Sequence, residues 1–163
     1  MEYSIELLTD PAEHGNEITQ LLKDVYVVEG YTAPEIAAKA FAFSEVFRRG
    51  DLYVAREAAS GEIAGMVILG SPENHARQVA QPGEAEIQLL AVRKERRGAG
   101  LGARLVEACL KRAKSLKYGR VVLSTQPTMK AAQKAYERLG FARNPARDWS
   151  ARGRSFLVYE RTV

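Results

Sequence analysis

A mixed α/β fold, in which helices cover a sheet with both parallel and antiparallel strand pairs, is predicted by three features of the sequence. Apolar residues at helical spacing alternate along the chain with short β-leaning runs. Two of these runs, 51–57 and 62–69, are separated only by the turn-like Ala-Ala-Ser-Gly and should form an antiparallel hairpin. Elsewhere helices alternate with strands, which favours parallel pairs as well.

The first half of the chain supplies a strand, two helices and this hairpin. Residues 3–8 alternate as a strand does, and residues 11–28 place apolar side chains at helical spacing. A second helix is predicted over residues 32–47, with Pro34 in its first turn. Residues 71–83, which contain two prolines and a glycine, are predicted to be a loop.

The second half alternates strands and helices. A strand over residues 85–92 leads through a glycine-rich turn into an amphipathic helix, whose buried line is predicted as Leu101, Leu105, Cys109, Ala113 and Leu116. A strand at 120–125 precedes a helix that opens at Pro127 and carries on one face Met129, Ala132, Tyr136 and Leu139. The last strand is predicted over residues 155–161.

Length and composition favour a single domain across residues 1–163. The 163 residues are 46% hydrophobic and 27% charged, as in globular proteins. No apolar run approaches the roughly 18 residues of a membrane span, so membrane insertion and secretion are disfavoured. The single cysteine, Cys109, excludes an internal disulfide and a multi-cysteine zinc site, so we expect no metal and a cytoplasmic location.

The charges are divided unevenly along the chain. Residues 1–92 hold 6 basic and 15 acidic side chains, a net charge of −9, and residues 93–163 hold 18 basic and 5 acidic ones, a net charge of +13. This division suggests that the second half meets an anion. Solvated helix faces would account for the same pattern.

The turn Arg96-Arg97-Gly98-Ala99-Gly100-Leu101-Gly102 lies between a predicted strand and helix. Such a turn can point backbone N–H groups at an anion, with the helix dipole behind them. A P-loop is excluded because no lysine follows these glycines, and a dinucleotide site is disfavoured because the next strand ends in Leu-Ser-Thr and not in an acid. The pattern Arg/Gln-x-x-Gly-x-Gly/Ala, met by Arg97, Gly100 and Gly102, remains.

With this pattern the sequence resembles the GNAT superfamily of acetyl-coenzyme A-dependent N-acetyltransferases. Three separated elements carry the resemblance between Glu84 and Arg143: the strand AEIQLLAV, the turn RRGAGLG that opens a helix, and the later helix end AYERLGF. The resemblance implies a mostly antiparallel central sheet with one splayed parallel strand pair and helices on both faces. It also implies acetyl-coenzyme A (acetyl-CoA) as co-substrate and a primary amine as acceptor.

The resemblance also implies where the coenzyme lies. Backbone N–H groups of the turn would hold its pyrophosphate, and its pantetheine arm would follow the strand that precedes the turn. The residues implied to contact the coenzyme are Leu90, Ala91, Val92, Arg97, Gly98, Ala99, Gly100, Leu101, Gly102, Ala103, Ser124, Thr125, Met129 and Ala132. Met129 stands where many members of the family have asparagine, seven residues before a tyrosine.

Two residues are candidates for the proton transfers. An amine with a pKa of about 10 must lose a proton before it attacks a thioester, and Glu86 is the candidate base because the alternation of its strand places it with Gln88, Leu90 and Val92 on one face. Members that modify histones have their base at this place in the strand. Tyr136 is the candidate acid for the departing thiolate, as a tyrosine is in many members. Both residues could instead be structural.

Other readings of the sequence remain open. Cys109 lies mid-helix on the apolar line with no histidine near it, so a covalent mechanism is disfavoured. The basic cluster Arg93, Lys94, Arg96 and Arg97 lacks the interleaved aromatic residues of a nucleic-acid site, which makes such a partner the minor alternative. A non-catalytic protein that binds coenzyme A or a nucleotide is the other. No motif specifies the acceptor, which is a small molecule or a peptide. The candidate residues of its pocket are Tyr26, Tyr31, Asp148 and Trp149. A homodimer is compatible with the sequence.

Overall fold

The sheet uses all of the predicted strands and two short additional ones. In the computed structural model, which describes residues 2–10, 12 and 14–163, the strands run in the order β1-β2-β3-β4-β5-β8-β6, and β7 pairs with β8. The strands are β1 Tyr3–Leu7, β2 Asp51–Glu57, β3 Ile63–Gly70, β4 Glu84–Val92, β5 Arg120–Thr125, β6 Ala142–Arg143, β7 Trp149–Ala151 and β8 Arg154–Thr162.

The helices fill the predicted connections. They are α1 Gly15–Leu22, α2 Pro34–Ala40, α3 Phe43–Phe47, α4 Leu101–Ser115 and α5 Lys130–Arg138. A π-helical turn, Lys23–Val27, continues α1, and 3-10 turns occur at Lys94–Arg96 and Pro145–Arg147. None of the helices in the described ranges has the length and apolarity needed to cross a membrane.

The strand directions confirm the predicted mixed fold. β4 and β5 are parallel and are connected through α4, whereas the other neighbouring strands pair antiparallel. A parallel pair needs a long crossover, which α4 provides, while the hairpin β2–β3 needs only a tight turn. The result is a mostly antiparallel sheet with one parallel pair near its middle.

Each face of the sheet carries a separate apolar core. On one face the buried side of α4, including Leu105 and Cys109, packs with Val121 and Leu123 of β5. On the other face α1 and its neighbours pack on β2 and β3 through a second buried group that includes Ile18, Leu21, Leu22, Val46, Leu52 and Ile68. Removing one such leucine typically costs about 2 to 5 kcal/mol, so both faces are needed for stability.

Three details differ from the predictions. The single helix expected over residues 32–47 is interrupted at Phe41 and Ala42 and forms α2 and α3. Leu116 is 46% exposed and not buried, because α4 ends at Ser115 and Lys117 adopts a left-handed φ of +65°. The start of the first predicted helix, at Pro11, lies outside the described residues.

Candidate active site

The parallel strands β4 and β5 pair over only part of their length. Their register runs from Glu84 opposite Arg120 to Ile87 opposite Leu123 and then ends. Beyond this point β4 continues beside β3 and β5 continues beside β8. The two strands therefore separate, and the sheet has an opening between residues 88–92 and residues 124–125.

A β-bulge in β4 lies at the start of this opening. Leu89 has a φ of +51°, and the pairing of β4 with β3 shifts register at the same place. Ile87 and Leu90 both pack in the α4 core, whereas Leu89 packs in the α1 core. The prediction that Leu90 and Val92 share a face with Glu86 and Gln88 is therefore wrong, because a bulge adds one residue and moves the following side chains to the opposite face.

The glycine-rich turn presents a row of free backbone donors beside this opening. Gly98 and Gly100 have φ values of +91° and +76°, and a Cβ atom added at either would meet nothing within 4 Å. No acceptor in the described residues is hydrogen-bonded to the N–H groups of residues 98–103. The first turn of α4 contains no acidic side chain. The helix dipole and these N–H groups together suit an anion.

Arg97, at the start of this turn, is bound to other parts of the protein. Its guanidinium donates two hydrogen bonds to the Glu29 carboxylate, at 2.8 and 2.7 Å, and one to the carbonyl of Val92 at 3.2 Å. The residues after Glu29 reach the other strand of the opening, because the carbonyl of Tyr31 accepts a hydrogen bond from Gln126 at 2.9 Å. Residues 29–31 therefore connect the two sides of the opening.

Two tyrosines approach the opening from opposite faces of the sheet. Tyr136 of α5 packs against Phe141 and Tyr159, and burial raises the pKa of its phenol. Its hydroxyl has no hydrogen-bond partner in the described residues, and solvent reaches it. Tyr26 donates a hydrogen bond to the carbonyl of Leu90 at 2.8 Å, and its pKa is raised by burial and by the nearby Tyr136.

Glu86 is completely buried and its carboxylate is fully occupied. One oxygen accepts the N–H groups of Val79 and Ala80 at 2.6 and 2.8 Å, and the other accepts the N–H of Gln78 at 2.9 Å and the side-chain amide of Gln88. These four donors match the four acceptor positions of a carboxylate. Glu86 thus anchors residues 78–80 to β4, and its role as a general base stays a prediction.

The predicted coenzyme residues beyond the turn lie where β5 leads into α5. Ser124 accepts a hydrogen bond from the indole N–H of Trp149 at 2.9 Å, and this indole stacks on Phe156 at 4.2 Å. The hydroxyl of Thr125 donates to the sulfur of Met129 at 3.4 Å. Ala132 packs against the α4 core. These side chains form the β5 side of the opening, and Leu90, Ala91 and Val92 form the β4 side.

Ion pairs across the fold join the acidic and basic halves of the chain. Among the described residues six ion pairs join them, with N–O distances of 2.7 to 3.7 Å: Arg93–Glu17, Arg96–Glu57, Arg97–Glu29, Arg112–Asp51, Arg120–Glu84 and Arg147–Glu84. Three of the four basic side chains in the cluster at 93–97 are therefore paired within the protein. Six of the 18 basic side chains of residues 93–163 are paired with the acidic half in this way.

Sequence reasoning missed several side chains that the fold brings to the opening. Glu29, Arg49 and Gln126 belong to no motif, and each acts through a partner at least 39 residues away in sequence. The sequence carries no signal for these three residues, because only their long-range contacts identify them. Cys109 is fully buried and its pKa is raised by burial, in accord with a structural role. In the described ranges no group of three or more metal-ligating side chains is assembled.

Comparison with solved structures places this fold among acetyltransferases. A GNAT-family acetyltransferase from Desulfovibrio desulfuricans is 19% identical, with a TM-score of 0.75 over 99% of both chains. An acetyltransferase from Streptococcus agalactiae is 19% identical, with a TM-score of 0.77 over 99% of this chain and 98% of the other. A Bacillus subtilis acetyltransferase, solved in complex with CoA, is 20% identical, with a TM-score of 0.70 over 99% of both chains.

The family assignment comes from the sequence itself. No curated protein matches the chain. The model of the acetyltransferase (GNAT) family matches residues 15–141, which include the separating strands, the glycine-rich turn and Tyr136. The chain belongs to the GNAT family of acetyltransferases.

Proposed function

We propose that the protein transfers an acetyl group from acetyl-CoA to a primary amine by direct attack of the amine, as a single domain across residues 1–163. The observation that carries this proposal is the row of unpartnered N–H groups at residues 98–103, next to the opening between β4 and β5. These groups suit a pyrophosphate, and the opening suits a narrow arm that ends in a thioester. A cytoplasmic location is part of the proposal, on the ground of the single cysteine.

The residues present fit the coenzyme. The space above Gly98 and Gly100 is free of protein atoms where side chains would otherwise lie. The N–H groups of the turn would hold the pyrophosphate, and β4 from Leu90 to Val92 would lie along the pantetheine arm, with Ser124, Thr125, Met129 and Ala132 on the other side. When bound, acetyl-CoA supplies an activated acetyl group and a thiolate that can leave.

The chain's own residues must then move two protons. The amine loses one proton as its nitrogen bonds to the acetyl carbon, and the thiolate gains one as the carbon–sulfur bond breaks. Tyr136 is the proposed donor to sulfur, since its hydroxyl is unpartnered and its raised pKa keeps it protonated at neutral pH. Glu86 is the proposed acceptor of the amine proton, and it can accept only when a donor from residues 78–80 is displaced.

A protein that binds coenzyme A without catalysis is the second candidate. The full occupation of the Glu86 carboxylate favours it, because an enzyme without a free base would turn over slowly. Binding of nucleic acid is less supported, since the basic cluster at residues 93–97 is mostly paired within the protein.

Release of thiol from acetyl-CoA, measured against a panel of amines, tests the proposal. The panel comprises polyamines, amino acids, aminoglycosides and peptides with free N-termini, and the acetylated product is identified by mass. We expect turnover with at least one class of amine. This turnover should be lost in a variant whose glycine-rich turn cannot accept the pyrophosphate. Binding of coenzyme A without turnover of any amine would favour the non-catalytic candidate. Sedimentation of the same protein tests for a homodimer.

A further inference from the structure

Arg49 is a half-buried cation that the proposed chemistry does not use. It follows α3, and its guanidinium reaches β4, where it donates to the side-chain oxygen of Gln88 at 3.3 Å. Its other hydrogen bond, to the carbonyl of Ala40, is 3.5 Å long. A guanidinium has five N–H groups. Its Nε is the one side-chain nitrogen or oxygen in the described residues that is sealed from solvent and lacks a partner.

The charge of Arg49 is also not balanced by a carboxylate. Within the described ranges no acidic side chain forms an ion pair with it. The two carboxylates that act on it from further away are already engaged: Glu45 by Arg48 and His75, and Glu86 by the N–H groups of residues 78–80. Burial lowers the pKa of Arg49, as expected for a charge without a close partner.

The guanidinium lies beside the opening in the sheet. Its partner Gln88 is the first residue of β4 beyond the last paired position, Ile87. Tyr26, which bonds to Leu90 within the opening, is close enough for Arg49 to affect its pKa. Gln88, Arg49 and Tyr26 therefore line the α1 face of the opening. Tyr136 approaches from the face that packs on α4, so an acceptor amine can enter from the α1 face while the acid acts from the other.

We propose that Arg49 recognises a carboxylate on the acceptor, so that the preferred substrates are amines that also carry a carboxylate. Charges that are partly removed from water are normally paired, and a substrate carboxylate would supply the missing partner by accepting from the two Nη atoms, whose present hydrogen bonds are 3.3 and 3.5 Å long. Arg49 is then a specificity-determining residue for acetyl transfer. This inference rests on the proposed function, and it makes polyamines poor acceptors. Free amino acids and peptides with a nearby carboxylate share this chemistry.

The test uses acceptors that differ only in the carboxylate. Alanine and lysine are each compared with their α-carboxamides, and a dipeptide is compared with its amide, with rates corrected for the fraction of free amine. We expect kcat/KM to be roughly tenfold or more higher for the carboxylates. Preference for free amino acids over the dipeptide, or the reverse, identifies the source of the carboxylate. Equal rates for acids and amides in the wild-type protein would overturn the proposal.

Substitutions separate recognition from folding. Arg49→Met should remove the preference by slowing the carboxylates while leaving the amides within about threefold, and Arg49→Lys should retain part of it. Arg48→Met is the matched control, since Arg48 is exposed and pairs with Glu45, and it should leave the preference unchanged. Equal losses for acids and amides in both Arg49 variants would assign Arg49 a structural role and overturn the proposal.

Calorimetric titration of the amino acids into the protein saturated with coenzyme A gives a readout that does not require turnover. Binding by the wild-type protein that Arg49→Met abolishes supports the proposal even if no amine is acetylated, in which case only the proposed function fails. If none of the carboxylates binds, the proposed role of Arg49 is overturned directly.

Discussion

The two sides of the opening in the sheet are built in different ways. The proposed donor side, at residues 97–103, is a continuous stretch whose free backbone N–H groups are held by glycine conformations. The proposed acceptor side consists of side chains from distant segments, among them Tyr26, Arg49 and Trp149. A backbone site can be encoded in one short motif, whereas a side-chain site depends on which segments the fold brings together.

The two sides meet in residues 29–31. Glu29 bonds to Arg97 of the donor turn, and the carbonyl of Tyr31 accepts a bond from Gln126 at the end of β5. A further bond joins Arg154 of β8 to the carbonyl of Gly30 at 2.9 Å. A substitution on one side should therefore alter binding on the other side, and variants can measure how independent the two sides are.

The largest effect is expected on the donor side, from Gly100→Glu compared with Gly100→Ala. Both variants accept a left-handed φ at a cost of about 1 to 2 kcal/mol, but only the carboxylate repels a pyrophosphate. The glutamate variant should lose coenzyme affinity by roughly 100-fold or more in calorimetric titration, while the alanine variant stays folded and binds within about tenfold. Equal affinities for the two variants would show that the turn does not hold the phosphates.

Tyr136→Phe tests the chemistry between the two sides. Without its proton donor the enzyme should lose about 10²-fold in kcat, with the affinity for coenzyme A unchanged. Burial raises the Tyr136 pKa above its ordinary value of about 10, so the wild-type acid stays protonated at alkaline pH and the deficit should persist there. Full activity of Tyr136→Phe across a pH series of kcat would eliminate this tyrosine as the acid.

Glu86→Gln should have a smaller effect, and its pH dependence distinguishes two roles on the acceptor side. If Glu86 is the base, the loss in kcat at neutral pH shrinks as pH rises and the free amine becomes abundant. If it only anchors residues 78–80, the acceptor KM rises equally at every pH. In either role the new amide group faces backbone N–H donors, which should cost about 1 to 3 kcal/mol of stability by urea unfolding.

An exposed glutamate of α4 provides the control for this variant. Glu107→Gln makes the same chemical change on the surface and should alter neither stability nor kcat measurably. A pH profile of Glu86→Gln that runs parallel to the wild-type profile would remove Glu86 as the base and leave it as an anchor.

The smallest effect is expected for Glu29→Gln, which loosens the connection between the sides. The hydrogen bonds from Arg97 lower the Glu29 pKa, so its contribution to stability is present above the unfolded value of about 4.3 and is lost as pH falls through the folded value. Since the two side chains are 41% and 29% exposed, we expect at most about 1 kcal/mol at pH 7.

Two measurements check this prediction. Urea unfolding of Glu29→Gln and of the wild-type protein should differ at pH 7 and converge as pH falls below the lowered pKa of Glu29. Coenzyme affinity should rise by up to about threefold, because Arg97 is released toward the phosphates. A stability difference that grows on acidification would contradict the assignment of this ion pair.

The sequence alone determined the features that depend on neighbouring residues. Strand and helix positions followed from apolar periodicity, the hairpin from its turn residues, and the donor turn from glycines at positions that require left-handed φ or close approach. These signals lie within a few residues of the structure they specify. For this reason the fold, the family and the position of the glycine-rich turn were accessible without coordinates.

Only the tertiary structure decided the features that depend on distant residues. The bulge at Leu89 reverses the faces of β4, and the loop partners of Glu86 occupy the carboxylate that the strand pattern had left free. Arg49 belongs to no motif, and it becomes notable only because no acidic side chain within the described ranges forms an ion pair with it. The fold also decided which of the opposite charges of the two halves form ion pairs. Electrostatic and hydrogen-bond partners are set by distances in space, which local sequence does not encode.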